Sequence, residues 1–89
     1  MKTRTMLEIA IDAISEDTKK QFTFDELFHI IEDELKDDWT EKFVNDSTPY
    51  EKIQTKKMGE LYRLLTVDKR FHRNFDGTWQ SKTIEVYVK

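Results

Sequence analysis

The chain is short and has no covalent cross-links to stabilise it. It has 89 residues with two Gly, one Pro and no Cys, and 15 Lys/Arg against 18 Asp/Glu give a formal net charge of −3. A chain of this length makes one domain with a small core, and without cysteine it has neither disulfides nor thiolate metal ligands. Its apolar runs are too short to span a bilayer and its N-terminus lacks a signal peptide, so we expect a cytoplasmic protein.

The two halves of the chain carry opposite charge. Residues 1–48 contain six Lys/Arg against thirteen Asp/Glu, a charge of −7, whereas residues 49–89 contain nine against five, a charge of +4. The chain is therefore a charge dipole, and contacts with anionic partners are expected from the second half.

Helical periodicity dominates the first half. Residues 5–15 repeat apolar side chains at helical spacing, namely Met6, Ile9, Ala10, Ala13 and Ile14. Residues 21–23 look extended, and Thr23 with Glu26 then forms a capping box that opens a second helix, with Phe22 and Leu27 as its hydrophobic staple. Helix two is predicted from Phe24 to about Lys36, and its buried residues are predicted to be Leu27, Phe28, Ile30, Ile31 and Leu35.

Residues 37–48 lack a clean period, so we interpret them as an irregular insertion between helices two and three, either a short helix or an ordered loop. Trp39 and Tyr50 flank this insertion. Local packing against helix three is the simpler interpretation of both, and a protein-contact anchor is the alternative.

A third helix is predicted to begin after the insertion, where Thr48 is an N-cap, Pro49 the first helical residue and Glu51 part of a second capping box. One broad stripe of this helix is apolar and comprises Tyr50, Ile53, Met58, Leu61, Leu64 and Leu65. Lys57 falls inside the stripe, so its amine must snorkel to solvent. The opposite face carries Lys52, Lys56 and Arg63 around Gly59.

Alternating residues after Asp68 predict a β-hairpin closed by a tight Asp76-Gly77 turn, with Phe71 and Trp79 opposed across it as a core plug. Residues 83–88 form a last β-rich segment. The predicted fold class is α+β and mainly helical: a winged helix-turn-helix with three main helices and a C-terminal β-hairpin wing, over one domain of residues 1–89.

Four runs of sequence carry a resemblance to a known family. They are MLEIA (residues 6–10), FTFDEL (22–27), LYRLLTVDKRF (61–71) and DGTWQ (76–80). In pattern and spacing the chain resembles the delta subunit of bacterial RNA polymerase, specifically its N-terminal HARE-HTH winged-helix domain. Residues 37–47 look longer than the family's connection, and the family's acidic C-terminal tail is absent. The resemblance implies a non-catalytic subunit whose folded domain docks on the core polymerase while the tail competes with nucleic acid.

The basic face is the main candidate site. It comprises Lys52, Lys56 and Arg63 of helix three with Arg70, Arg73 and Lys82 around the hairpin. Clustered cations suit phosphates or an acidic protein surface, although a solvated face without a ligand is equally compatible with them. For base reading, the start of helix three offers only Lys52, Gln54 and Thr55, so weak and salt-sensitive nucleic-acid binding is the most we expect.

Other polar clusters have simpler explanations. The acidic residues 32–34 with residues 37 and 38 either meet a basic partner or form a charged helix end. His29 lies four residues from Asp25 and from Asp33, which is the spacing of a metal site but more typical of a surface salt bridge. His72 has no evident catalytic partner. No enzymatic motif and no cofactor site is evident, so we expect neither activity nor cofactor.

Two functional hypotheses result. The first is a monomeric accessory domain of bacterial RNA polymerase that binds the core enzyme and modulates nucleic-acid release. The alternative is a winged-helix DNA-binding transcriptional regulator that uses helix three and the wing.

Overall fold

The computed structural model describes residues 4–82, which form three helices followed by a two-stranded antiparallel hairpin. In chain order the elements are α1 (Met6–Glu16), α2 (Phe24–Phe43), α3 (Tyr50–Val67), β1 (Phe71–Arg73) and β2 (Trp79–Ser81). The α+β, mainly helical class is therefore confirmed. The predicted β-rich segment at residues 83–88 lies outside the described residues.

Capping boxes begin the first two helices. At α2 the Thr23 hydroxyl accepts from the Glu26 backbone N–H at 3.1 Å, and the Glu26 carboxylate accepts from the Thr23 N–H at 2.8 Å. Thr5 and Glu8 repeat this arrangement at α1. Each box satisfies two backbone donors that a helix N-terminus otherwise leaves unpaired. The predicted capping box of α2 is confirmed.

The prediction that helix two ends near Lys36 was wrong, because α2 continues to Phe43. Residues 37–43 of the proposed insertion are therefore helical, and the connection to α3 is only residues 44–49. The extension is stabilised by Trp39, which follows Leu35 at helical spacing, is buried, and stacks on Phe28 with ring centroids 6.0 Å apart. Trp39 also lies beside helix three, with the Lys57 ammonium 5.8 Å from its ring centroid, so packing against helix three, the simpler interpretation of Trp39, is confirmed.

The prediction that Thr48 caps helix three was also wrong. The backbone N–H and C=O groups of Thr48 both pair with Asn45 at 3.1 Å, which closes a tight turn. Pro49 is the N-cap instead, without a side-chain capping bond, and the helix begins at Tyr50. Thr48 does not cap α3 because the turn places it one residue before the N-cap, and no side-chain capping bond forms at this helix start.

The helices bury one shared core. It comprises Met6, Ile9, Ala10, Ile14, Phe22, Leu27, Phe28, Ile31, Leu35, Trp39, Ile53, Leu61, Leu65, Phe71 and Trp79. The apolar stripe of α3 is confirmed, and Lys57 snorkels as expected, with its ammonium 4.9 Å from the Phe43 ring centroid and 3.3 Å from Glu60. Ile30 was wrongly predicted to be buried; it is 39% exposed, on the outer side of α2.

Phe22 joins the α1–α2 connection to the hairpin. It exchanges two backbone hydrogen bonds with Trp79, of 2.8 and 2.7 Å, in an isolated antiparallel bridge. Phe71 and Trp79 are both buried, so their predicted core role is confirmed. They are not opposed, however, because Phe71 pairs with Ser81 and Arg73 with Trp79. The reason is a three-residue loop, residues 75–77, in which Gly77 adopts φ +88°.

The two threonines proposed as caps provide a test of this description. Thr23→Ala removes a real cap and is expected to destabilise the protein by about 1 kcal/mol, lowering Tm by roughly 4 to 8 °C. Thr48→Ala removes no capping bond and is expected to change stability by less than about 0.5 kcal/mol. Thermal unfolding of both variants measures the difference in stability. Equal losses of stability in the two variants would contradict the assigned start of α3.

Candidate functional site

The outer face of α3 is an exposed surface in the basic half of the chain. We define it by exposed residues that share one side of the helix: Lys52, Thr55, Lys56, Gly59, Tyr62, Arg63, Thr66 and Val67. On a helical wheel these residues cover an arc of about 140°. No carboxylate falls within this arc, since Glu51 and Glu60 lie at its two borders. The charged side chains within the face are therefore all cations.

The three cations of this face are available to a partner. Lys52, Lys56 and Arg63 form no ion pair with a carboxylate of the described residues. Eleven residues separate the first from the last, which is about 16 Å along the helix axis. The structure thus brings half of the six predicted site residues together on one helix.

Gly59 lies at the centre of the face and costs the helix stability. Glycine in a helix interior is less favourable than alanine by about 1 kcal/mol. Nothing within the described residues requires glycine there, because a Cβ added at Gly59 would meet no atom within 4 Å. The position is thus open space flanked by cations.

The potential base-reading groups of α3 are mostly engaged within the chain. The Gln54 amide donates to Glu32 at 2.8 Å, and the Thr55 hydroxyl donates to the Glu51 carbonyl at 3.1 Å. Lys52 remains, and a lone lysine near the helix start suits phosphate better than a base edge. The face is thus equipped to bind a backbone and poorly equipped to read sequence.

Arg70 does not join this face as a free cation. Its guanidinium makes a bidentate contact with Asp68, with Nε and Nη2 at 2.9 and 2.7 Å from the two carboxylate oxygens. The Asp68 carboxylate also accepts from the Arg70 backbone N–H at 2.9 Å. The Arg70 side-chain hydrogen bond lowers the pKa of Asp68 to about 2, although partial burial acts in the opposite direction. The pair forms a latch where α3 passes into β1.

The other two predicted cations lie on the hairpin. The guanidinium carbon of Arg73 is 6.0 Å from the Tyr62 ring centroid and 5.7 Å from that of Trp79, and its Nη1 donates to the Tyr62 hydroxyl at 3.3 Å. Arg73 therefore covers aromatic rings at the edge of the outer face of α3. Lys82 is half-buried beyond β2, and its backbone N–H donates to the Arg70 carbonyl at 3.1 Å.

Much of the acidic cluster on α2 has internal partners. Glu32 accepts from the Tyr50 hydroxyl at 2.5 Å as well as from Gln54, and burial together with this bond raises the pKa of Tyr50 above its usual value. Glu34 pairs with Arg4, and Asp38 pairs with Lys42 at 3.3 Å. These carboxylates stabilise the helix packing, which leaves a smaller part of the cluster for a basic partner.

Neither histidine assembles a metal site with its neighbours. His29 Nδ1 lies 2.7 Å from the Asp25 carbonyl oxygen, a contact within its own helix. Over residues 4–82 no group of three His, Cys, Asp or Glu side chains comes together in a way that holds a metal ion.

The hairpin turn presents an aromatic side chain that the sequence analysis did not single out. Phe75 is fully exposed at the tip, where the Asn74 amide donates to Thr78 and Gln80, each at 3.0 Å, and the Thr78 hydroxyl donates to Asp76 at 2.7 Å. These bonds order the turn while Phe75 contributes nothing to the core. The available signal was the position of Phe75 directly before Asp76-Gly77, at the tip of the predicted hairpin.

Comparisons of this chain with protein-family models, with curated proteins and with solved structures gave no match. Among the helices of residues 4–82, none has the length and apolar character needed to cross a membrane. The candidate site therefore has to be interpreted from its own geometry.

Acid titration tests the Asp68–Arg70 latch. A carboxylate whose folded pKa is depressed stabilises the protein above its ordinary pKa of 3.8, and this contribution is lost as pH falls toward about 2. Asp68→Asn should therefore be less stable than wild type at neutral pH, and the difference should shrink as pH decreases from about 4 to about 2. Urea unfolding of both proteins between about pH 4 and about pH 2 measures this difference in stability. A difference that does not change with pH would contradict the Asp68–Arg70 latch.

Charge reversal tests whether the outer face of α3 is dispensable for folding. Lys52, Lys56 and Arg63 changed together to Glu should leave the cooperative thermal transition in place, because all three side chains are exposed and lie off the apolar stripe. Circular dichroism measures the transition. Its disappearance would show that these positions contribute to the core.

Proposed function

We propose that this chain is a winged-helix accessory domain of bacterial RNA polymerase, similar to the HARE-HTH domain of the delta subunit. In this proposal it is non-catalytic, monomeric and cytoplasmic, docks on the core enzyme through a protein surface, and modulates the enzyme's hold on nucleic acid. The observation that carries the proposal is the pairing of Phe22 with Trp79. Through it the α1–α2 connection pairs with the hairpin that follows α3, and this element order is compatible with a winged-helix arrangement.

The residues behind the resemblance hold this arrangement together, which supports the proposal. In the run at residues 22–27, Phe22 makes the bridge and Thr23 caps α2. In the run at residues 61–71, Asp68 forms the latch between α3 and β1. In the run at residues 76–80, Gly77 has the positive φ that the hairpin loop requires. The similarity thus covers positions with structural tasks in separate parts of the fold.

Phe75 is the side chain that we assign to the polymerase contact. Aromatic side chains bury much area with few rotatable bonds, so they are common anchors of protein interfaces. The ordered turn presents Phe75 fully exposed, and docking it into a pocket would incur little loss of backbone entropy.

A pull-down with purified core RNA polymerase tests the proposal. The immobilised chain should retain the polymerase at moderate salt, and Phe75→Ser should weaken retention by about ten-fold or more because it removes the anchor. Ile30→Ser is the matched control, since it also removes an exposed apolar side chain, on α2 and away from both the hairpin tip and the outer face of α3, and should have no effect.

Two results would redirect or overturn the proposal. If the variant with Glu at positions 52, 56 and 63 lost the polymerase while Phe75→Ser retained it, the contact would lie on α3 instead. If the wild-type chain retained no polymerase, the polymerase function would be wrong.

The alternative is a DNA-binding regulator, and the exposed cations of α3 favour it. A regulator requires specific affinity near ~10⁻⁸ M or tighter at physiological salt. The engagement of Gln54 by Glu32 argues against such specificity, because the only side-chain amide of α3 is occupied within the chain.

A further inference from the structure

An open groove lies between the C-terminal half of α1 and the N-terminal half of α2. One part of it, beside α1, has a volume of about 520 Å³, and a second part, over the start of α2, has a volume of about 500 Å³. Lys20, Phe22 and Ile30 line both parts, so the two parts form one continuous surface. We call this surface the α1–α2 groove. Neither the shared core nor the polymerase contact assigned to Phe75 uses it.

The floor of the α1–α2 groove is apolar. Ile9 and Phe22 are buried beneath it, Ala13 is half-buried beside them, and Ile30 is 39% exposed. The core is closed without Ile30, because the adjacent Ile31 is fully buried and Ile30 does not belong to the core cluster. The apolar surface around Ile30 is therefore free to bury an apolar side chain of a partner.

Carboxylates from both helices border this apolar floor. The lining has five carboxylates and two permanent cations, a net charge of −3 with His29 neutral. The carboxylates are Asp12, Glu16, Asp17, Asp25 and Glu26, and the cations are Arg4 and Lys20. Glu16 of α1 and Asp25 of α2 are exposed and form no ion pair within residues 4–82. The border of the groove thus carries negative charge that the fold leaves uncompensated.

The chain's own Lys20 shows which chemistry the groove accepts. Its ammonium lies over the Phe22 ring, 4.8 Å from the ring centroid, although the residue is exposed. The backbone hydrogen bond with Thr23 lowers the pKa of Glu26, and the charge of Lys20 lowers it further. An aromatic face and a carboxylate therefore both stabilise an ammonium in the groove. A lysine or arginine of a partner would meet the same groups.

Charge and shape together select the class of partner. A negative border repels phosphate backbones and anionic lipid headgroups and attracts Lys and Arg side chains. The apolar floor in addition requires an apolar side chain among those cations. An amphipathic helix whose apolar stripe is bordered by cations meets both requirements, because an apolar face laid into a groove is a common mode of helix recognition.

We propose that the α1–α2 groove binds a basic amphipathic helix of another protein. An apolar side chain of that helix packs against Ile30, and its cations meet Glu16 on one side and Asp25 on the other. The contact is separate from the polymerase contact assigned to Phe75. It does not depend on the polymerase function, because it is expected with an isolated basic peptide.

Three fluorescent synthetic peptides of equal length test the proposal. The first is a helix of Leu and Lys with the leucines on one face, the second has the same composition with the leucines scattered, and the third has Glu in place of Lys. Fluorescence anisotropy should show binding of the first peptide to the wild-type chain, and the other two should bind at least about ten-fold more weakly.

The apolar part of the contact is tested at Ile30. Ile30→Ser should weaken binding of the amphipathic peptide by about ten-fold, while the thermal transition stays nearly unchanged because Ile30 lies outside the core. Phe43→Ser is the matched control, since Phe43 is a similarly exposed apolar residue of the same helix, at 42%, and does not line the groove. It should leave the peptide affinity unchanged.

The cation already in the groove gives a test by gain of affinity. Lys20→Ala should tighten binding of the amphipathic peptide by about two- to five-fold, because it removes a cation that competes for the Phe22 ring. Lys19→Ala removes the same charge from a neighbouring exposed position outside the groove and should have a smaller effect. Partial unfolding does not produce a gain of affinity, so this result separates binding from stability.

The carboxylates are tested by neutralising two of them. Glu16→Gln combined with Asp25→Asn should weaken the amphipathic peptide by about ten-fold and reduce the salt dependence of its binding. Asp37→Asn combined with Glu41→Gln is the matched control, because it removes the same charge from exposed positions on the C-terminal half of α2. That control should retain most of the affinity.

Four results would overturn the proposal. They are equal binding of the scattered or the Glu peptide, unchanged affinity in Ile30→Ser, weaker binding by Lys20→Ala, and dimers of the chain alone that Ile30→Ser dissociates while no peptide binds. In the last case, seen by sedimentation velocity, the groove would cover a second copy of the chain. Failure of the polymerase function appears differently, as absence of polymerase retention by a chain that still binds the amphipathic peptide.

Discussion

The backbone pairing of Phe22 with Trp79 is the constraint on which the arrangement of the molecule depends. Two short hydrogen bonds hold the α1–α2 connection against the hairpin, and both side chains belong to the shared core. Trp79 also meets Tyr62 of α3 edge to face, with ring centroids 6.3 Å apart. A single residue of β2 thereby fixes the hairpin to the start of α2 and to α3.

Aromatic rings also decide which cations remain available. Lys57 places its ammonium against Phe43 and Trp39, and Arg73 lies over Tyr62 and Trp79. Cation–π contacts of this kind retain a charge at the edge of a core that would otherwise exclude it. Arg70 is retained by a carboxylate instead. Within α3, Lys57 has aromatic and carboxylate neighbours, and the three cations that form no ion pair in the described residues are Lys52, Lys56 and Arg63 on the outer face.

The parts of this structure that were predictable depend on neighbours in sequence. The Thr23–Glu26 capping box and the apolar stripe of α3 follow from spacing alone, and both are present. The errors arose where a particular side-chain or turn contact, and not the spacing of apolar residues, decides the structure. Helix α2 continues past Lys36 because the Trp39 ring stacks on Phe28, although the acidic residues between Phe28 and Trp39 interrupt the apolar periodicity. Thr48 pairs with Asn45 in a turn that places it one residue before the N-cap of α3. None of these competing partners is visible in local periodicity.

The opposed charges of the two halves limit how strongly α3 can hold DNA. The acidic side chains lie mainly on α1 and α2, and the Debye length at physiological salt is about 8 Å, so carboxylates farther than this from the duplex contribute little repulsion. A duplex on the outer face of α3 therefore meets the three cations and the border carboxylates Glu51 and Glu60 at close range. Glu60 is already paired with Lys57. Few cations and little to read base edges therefore limit any DNA contact of this face to weak, salt-sensitive binding.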